Sequence, residues 1–137
     1  MGNYIKFIDE QHEKRYAEML GRMGGKSNDP YRKSVAYLAA LDPVVFAHIE
    51  DIFSFENCCI RPDNFNQGWQ TSTSFKTTRL MFNLWNGRCS DGETYIDQNG
   101  EEKELPSAYY AVDEIFSNAA YAPYFFEAVK IRFEYNF

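Results

Sequence analysis

Histidine and cysteine are scarce in this chain: His12, His48, Cys58, Cys59 and Cys89 are all that 137 residues contain. An odd cysteine count with two adjacent thiols is not the disulfide framework of a secreted domain, and it offers no C-x-x-C bite for zinc. The thiols are expected to act as small buried hydrophobes, and no metal or cofactor is expected. Long apolar runs are also missing, so no segment reads as a membrane span. The opening stretch Met1-Gly2-Asn3-Tyr4-Ile5-Lys6-Phe7 is too short and polar for the core of a signal peptide. Lys6 stands where a myristoylation motif carries Ser or Thr. A cytoplasmic, reducing setting follows as the expectation.

Catalytic signatures are lacking too. There is no nucleophile elbow, P-loop, dinucleotide fingerprint or H-E-x-x-H pair. Cys58 and His48 are separated by a spacing that does not by itself join a nucleophile to a base. Glu50-Asp51 and Asp113-Glu114 are adjacent pairs, and neighbours on a helix diverge by about 100°, so they read as solvated faces. A non-enzymatic role is expected.

Aromatic residues are abundant instead, with 12 Phe, 10 Tyr and 2 Trp. Each buries a large ring and favours tilted neighbours, which predicts a dense aromatic core. The net charge of −6 is unevenly spread. Residues 91–104 hold Asp91, Glu93, Asp97, Glu101, Glu102 and Glu104 against Lys103 alone. An acidic chain without a basic face argues against direct nucleic-acid binding.

Helix signals recur along the chain. Asp9 is placed to cap a helix running to about Met23, with Tyr16, Met19, Leu20 and Met23 on one face. Asp29-Pro30 and Asp42-Pro43 each pair a capping carboxylate with a proline that loses no needed donor at the first helical position. Val35, Leu38 and Leu41 line the first of these helices; Val45, Ile49, Ile52 and Phe53 line the second. Residues 54–71 are irregular but carry Phe55, Ile60, Phe65 and Trp69, so they are expected to pack down on the body. Ser72 or Ser74 then caps a helix to Asn86, stopped by Gly87. It is apolar around most of its circumference and is expected at the centre of the core. Asn99-Gly100 between Thr94-Tyr95-Ile96 and Lys103-Glu104-Leu105 predicts a short hairpin with a mirror-image turn. Ser107 caps a helix to Phe116 that uses Tyr109, Val112 and Phe116. Ala122-Pro123 opens a last helix with Phe125, Val129 and Phe133 inward. The expected architecture is one all-α domain over residues 1–137. About six helices surround a central helix, 72–86, with a short β-hairpin insertion at 92–105.

Two features stand apart from this scaffold. Trp69 and Gln70 precede a polar stripe on the 72–86 helix, formed by Lys76, Arg79, Asn83 and Asn86, which either pairs internally or grips a polar or anionic ligand. The acidic segment either serves solubility or presents carboxylates to a basic partner.

Several stretches carry a resemblance: Leu41-Asp42-Pro43 with His48-Ile49, Gly68-Trp69-Gln70-Thr71-Ser72, and Thr78-Arg79-Leu80 with Phe82-Asn83-Leu84-Trp85-Asn86-Gly87. Tyr110-Ala111-Val112-Asp113-Glu114-Ile115-Phe116 and Tyr121-Ala122-Pro123-Tyr124 extend it. Together they resemble a family of small domain-of-unknown-function proteins encoded on conjugative elements and prophages of Gram-positive bacteria. The similarity runs from about residue 5 to 133 and departs at 88–106, where this chain is longer and more acidic. The family transfers no catalytic residues. The setting it implies is a cytoplasmic accessory protein of a mobile element. Within that setting the expected role is binding a basic protein surface through the acidic segment, for example as an inhibitor of a CRISPR effector nuclease. The alternative is a small-molecule or nucleotide binder, or an enzyme, built on the polar stripe.

Overall fold

The computed structural model describes residues 4–25 and 28–135; Met1, Gly2 and Asn3 of the opening stretch lie outside them. The described residues are mostly helical. Helix α1 spans Glu10–Arg22, α2 Pro30–Leu41, α3 Pro43–Ala47, α4 Ile49–Ile52, α5 Ser72–Asn86, α6 Val112–Phe116 and α7 Ala122–Phe133. Strands β1 (Phe53–Ser54) and β2 (Cys59–Ile60) form one antiparallel pair, and β3 (Thr94–Ile96) and β4 (Glu102–Glu104) form another.

The three aspartate starts all work as local chemistry dictates. Asp9 accepts from the His12 amide at 2.8 Å, Asp29 from Tyr31 at 3.0 Å and Asp42 from Val44 at 3.0 Å. Helix α5 is capped one residue earlier than expected. Thr71 Oγ1 accepts from the Ser74 amide at 3.0 Å while Ser74 Oγ accepts from the Thr71 amide at 2.7 Å, a reciprocal capping box. Gly87 ends α5 in the left-handed region, φ 78°, which glycine adopts without strain.

The helix enclosed on all sides is α2, not α5. Every residue from 34 to 41 is buried, and α2 packs against α1, α5 and α7. Its small residues, Ser34, Ala36, Ala39 and Ala40, let three neighbours approach closely. Helix α5 buries Ser74, Thr77, Thr78, Leu80, Met81, Phe82 and Leu84, leaving Lys76, Arg79 and Asn83 partly exposed. Its apolar content is used on one broad face. The cluster formed around α2 includes Met19, Tyr37, Phe53, Phe82 and Phe125, with tilted and edge-on ring pairs throughout.

The third expected helix is broken at His48 into α3 and α4. The helix expected from Ser107 to Phe116 is also broken. Ser107 caps a single 3-10 turn at Ala108–Tyr110, and α6 starts only at Val112. That break rotates the buried face: Tyr110 and Ile115 point inward, whereas Tyr109 and Val112 are exposed. In α7 Phe125 is buried as expected, joined by Ala128 and Ile131, but Phe133 lies outside.

Candidate functional site

The polar stripe and the acidic segment meet in one place. Arg79, midway along α5, reaches the carboxylate of Asp91 with two hydrogen bonds, Nε to Oδ1 at 3.2 Å and Nη2 to Oδ2 at 3.0 Å. The Ser107 hydroxyl donates to the same Oδ2 at 3.1 Å. The guanidinium also lies over the rings of Phe65, Phe75 and Tyr109, at 5.0, 5.3 and 4.8 Å from their centroids. Planar, delocalised charge suits both contacts at once.

Other stripe residues are likewise engaged within the chain. Lys76 Nζ donates to the backbone carbonyls of Glu114 and Ser117, the latter at 3.0 Å, covering the C-terminal end of α6. A cation there complements the unpaired carbonyls of a helix end. Asn83 Nδ2 donates to the Arg88 carbonyl at 3.0 Å, and Asn86 Oδ1 accepts from the Arg88 amide at 3.2 Å. Together they fold the chain back after Gly87. Gln70 receives the Ser74 hydroxyl at 2.5 Å and donates to the Phe65 carbonyl at 3.1 Å. Trp69 Nε1 donates to Asp51 at 2.8 Å, and its ring stacks on His48 with centroids 4.6 Å apart and planes 7° from parallel.

A cleft of about 290 Å³ opens where α5 gives way to the hairpin, lined by Asn86, Gly87, the loop 88–90, Glu104 and Pro106. Of the stripe residues Asn86 lines it; Arg88 faces Glu104 across it at 3.5 Å. The Tyr110 hydroxyl is buried in the same region, near Asp91, Arg88 and Arg79. Burial and then the negative charge of Asp91 hold its pKa well above the ordinary phenol range, against the opposing pull of Arg88 and Arg79.

The hairpin itself stands away from the body, with both strands exposed. Thr94 faces Glu104, Tyr95 faces Lys103 and Ile96 faces Glu102. The turn is a three-residue loop rather than the expected mirror-image pair. Asp97 N–H bonds Glu101 O at 2.9 Å, and Gly100, φ 77°, takes the left-handed position. Asp97 is the internal cap of that loop, with one carboxylate oxygen accepting from Asn99 at 2.8 Å and Glu101 at 2.9 Å.

The six carboxylates therefore differ in what they are free to do. Asp91 is tied to Arg79, Asp97 to the turn, Glu104 to Arg88 at 3.5 Å and Glu101 to Lys103 at 3.2 Å. Glu93 and Glu102 have no cationic partner among the described residues; Glu102 accepts only the Thr94 hydroxyl at 3.2 Å. Alternation along the strands splits these two between opposite faces. Around them Tyr95 is 46% exposed, Ile96 66% and Leu105 43%.

Among the described residues no three His, Cys, Asp or Glu side chains gather as a metal site would require. Cys58 and Cys59 are half-buried and Cys89 is exposed, so the expectation of fully buried thiols is corrected. Cys58 lies in the left-handed region, φ 49°, which is uncommon for a residue other than glycine. No helix of the described residues is long and apolar enough to cross a membrane.

Sequence reasoning gave His12 no role, yet it is completely buried. Its Nδ1 accepts from the Ile8 amide at 3.2 Å and its Nε2 lies 2.9 Å from the Tyr37 carbonyl, so the ring is the neutral Nε2-protonated tautomer. The Tyr37 hydroxyl donates to Lys6 O at 2.5 Å and Glu127 accepts from Lys6 N at 3.1 Å. These bonds strap residues 5–9 across the core.

No protein of curated function and no solved structure matches this chain. A family profile does, over residues 2–137. The chain belongs to the family of unknown function DUF6075.

Proposed function

We propose that this chain is a non-catalytic protein-binding accessory of a phage or mobile genetic element of Gram-positive bacteria, acting in the cytoplasm. Its contact element is the hairpin of residues 91–104, and its partner presents a basic surface. In its specific form the partner is a host defence nuclease of the CRISPR type, whose positively charged nucleic-acid channel is the kind of surface an acidic element fits. The observation that carries this reading is the character of the hairpin. It is a two-stranded element exposed along both strands, with Tyr95 and Ile96 held outward among carboxylates.

An isolated two-stranded hairpin is marginal in water. This one is anchored at its base by Arg79–Asp91 and by Ser107 N–H to Cys89 O at 2.8 Å. Such anchoring makes sense if the hairpin must hold a fixed shape for a partner. The alternative of a small-molecule or nucleotide binder built on the stripe has less support, since Trp69, Gln70, Lys76, Arg79 and Asn83 all make bonds within the chain.

The test is affinity capture from a Gram-positive host, using the natural chain and one whose residues 93–105 are replaced by a short Gly-Ser turn. A partner retained by the first and lost by the second is then purified and, where it is a nuclease, assayed for inhibition. A partner captured equally by both chains contradicts the assignment of the hairpin.

A further inference from the structure

Both edges of the hairpin present backbone groups that no strand pairs, and the side chains along the two edges differ. In an antiparallel pair, residues that exchange hydrogen bonds alternate with residues whose N–H and C=O point away from the partner strand. Asp97 N–H bonds Glu101 O and Leu105 N–H bonds Glu93 O, so 97/101 and 93/105 are bonded pairs, and 95/103 between them is a third. The pairs 94/104 and 96/102 therefore turn their backbone groups outward, Thr94 and Ile96 along β3, Glu102 and Glu104 along β4.

Folded proteins usually blunt an open strand edge with charge, proline or a bulge. The β4 edge follows that rule, reading Glu102-Lys103-Glu104. The β3 edge is equally short but carries no charge: it reads Thr94-Tyr95-Ile96, rich in strand-forming side chains. Two outward amides and two outward carbonyls on β3 are left for another strand to pair with.

From this we infer that β3 is a docking edge which takes an extended, lysine- or arginine-bearing segment of a protein partner as a third strand. The inference rests on the proposed protein-binding role and specifies how that partner is held. Main-chain bonds to Thr94 and Ile96 supply attachment, and the alternating side chains supply choice. Charge decides the occupant. Glu93 flanks Tyr95 on one face with no cationic partner among the described residues, Lys103 across from Tyr95 being held by Glu101 at 3.2 Å, and Glu102 lies across from Ile96 on the other face. A second copy would bring the same carboxylates to the same edge, whereas a basic strand is attracted.

The experiment uses the isotope-labelled full chain and reads amide exchange residue by residue. The probes are an alternating lysine–valine hexapeptide, its fully N-methylated form and a glutamate–valine hexapeptide. The first should slow exchange at Thr94 and Ile96 by about tenfold or more at saturation, and the other two should leave both amides unprotected. Ile96→Pro should abolish the effect, since that N–H points away from β4 and proline is tolerated at such an edge position. Retained protection at Leu105 shows that the hairpin still forms in this variant; if it is lost, the N-methylated arm on the natural chain decides alone. Equal binding of the N-methylated and unmodified lysine peptides overturns strand pairing but leaves the acidic-surface reading standing. Binding of neither overturns both. Protection of Thr94 and Ile96 that grows with protein concentration, without peptide, assigns the edge to a second copy and overturns the proposed occupant.

Discussion

Arg79 and Asp91 join the helical body to the hairpin by a two-bond ion pair, with the arginine side chain 14% exposed and the aspartate 20%. Twelve residues apart in sequence, they bring the polar stripe and the acidic segment into one structural unit. Asp91 is the foot of the hairpin, not part of its outward charge.

Removing one member leaves the other poorly solvated. Arg79→Ala or Asp91→Ala is expected to destabilise the fold by about 2–4 kcal/mol, near the range for breaking a largely buried pair. Denaturant unfolding measures the loss. A double-mutant cycle should return a coupling of about 1–3 kcal/mol, since the two residues contact each other directly. Additive effects would show that the pair is not a connecting unit.

Asp42 is buried and has two tasks. One oxygen caps α3 through the Val44 amide, and the other accepts from Thr77 Oγ1 at 3.2 Å on α5. Asp42→Ala should cost about 2–3 kcal/mol, combining a lost cap with a lost buried bond. Thr77→Val keeps the shape and the cap and should cost about 1 kcal/mol, with the same unfolding curves as the readout.

His12 makes stability depend on pH. Burial lowers its pKa from the ordinary value of 6.5, the positive charge of Arg15 adds to the lowering, and the Tyr37 carbonyl and Asp9 oppose it. Below pH 6.5 the unfolded chain takes a proton that the folded chain refuses, so this group's contribution is full above 6.5 and falls as pH drops toward the folded value. The slope reaches at most about 1.4 kcal/mol per pH unit. Urea unfolding between pH 7.5 and 5 should therefore show a decline that His12→Gln reduces, within the window accessible to histidine titration. The amides of residues 5–9 should lose exchange protection in the same window.

Legibility followed the range of the interaction. The Asp-Pro starts and the Asp9 cap were readable because donor and acceptor lie within three residues of each other. The cap of α5 falls one residue before the expected Ser72 because Thr71, Ser72 and Ser74 all offer hydroxyls, and only the reciprocal bond selects Thr71. The central position of α2 was hidden because close packing there comes from alanine and serine, which carry little hydrophobic signal. Tyr109 and Val112 were expected inward because a continuous helix was expected. The turn ending at Tyr110 shifts the register and brings Tyr110 and Ile115 in instead. The stripe itself is legible, but most of its partners are not. Asp91, the Ser117 carbonyl and the doubled-back Arg88 backbone are brought to it by tertiary structure. The same holds for His12, whose significance depends on Tyr37, 25 residues away.

Glu93 and Glu102 are the hairpin carboxylates without cationic partners among the described residues, and Glu93→Gln with Glu102→Gln removes their charge without disturbing the anchor or the turn. The measurement is the affinity of the captured partner for the natural and doubly substituted chains across a range of salt. Two exposed charges facing a basic surface should cost the double variant about tenfold in affinity at low salt, with a flatter salt dependence. Equal affinity and equal salt dependence for the two chains would show that the hairpin's free carboxylates do not hold the partner.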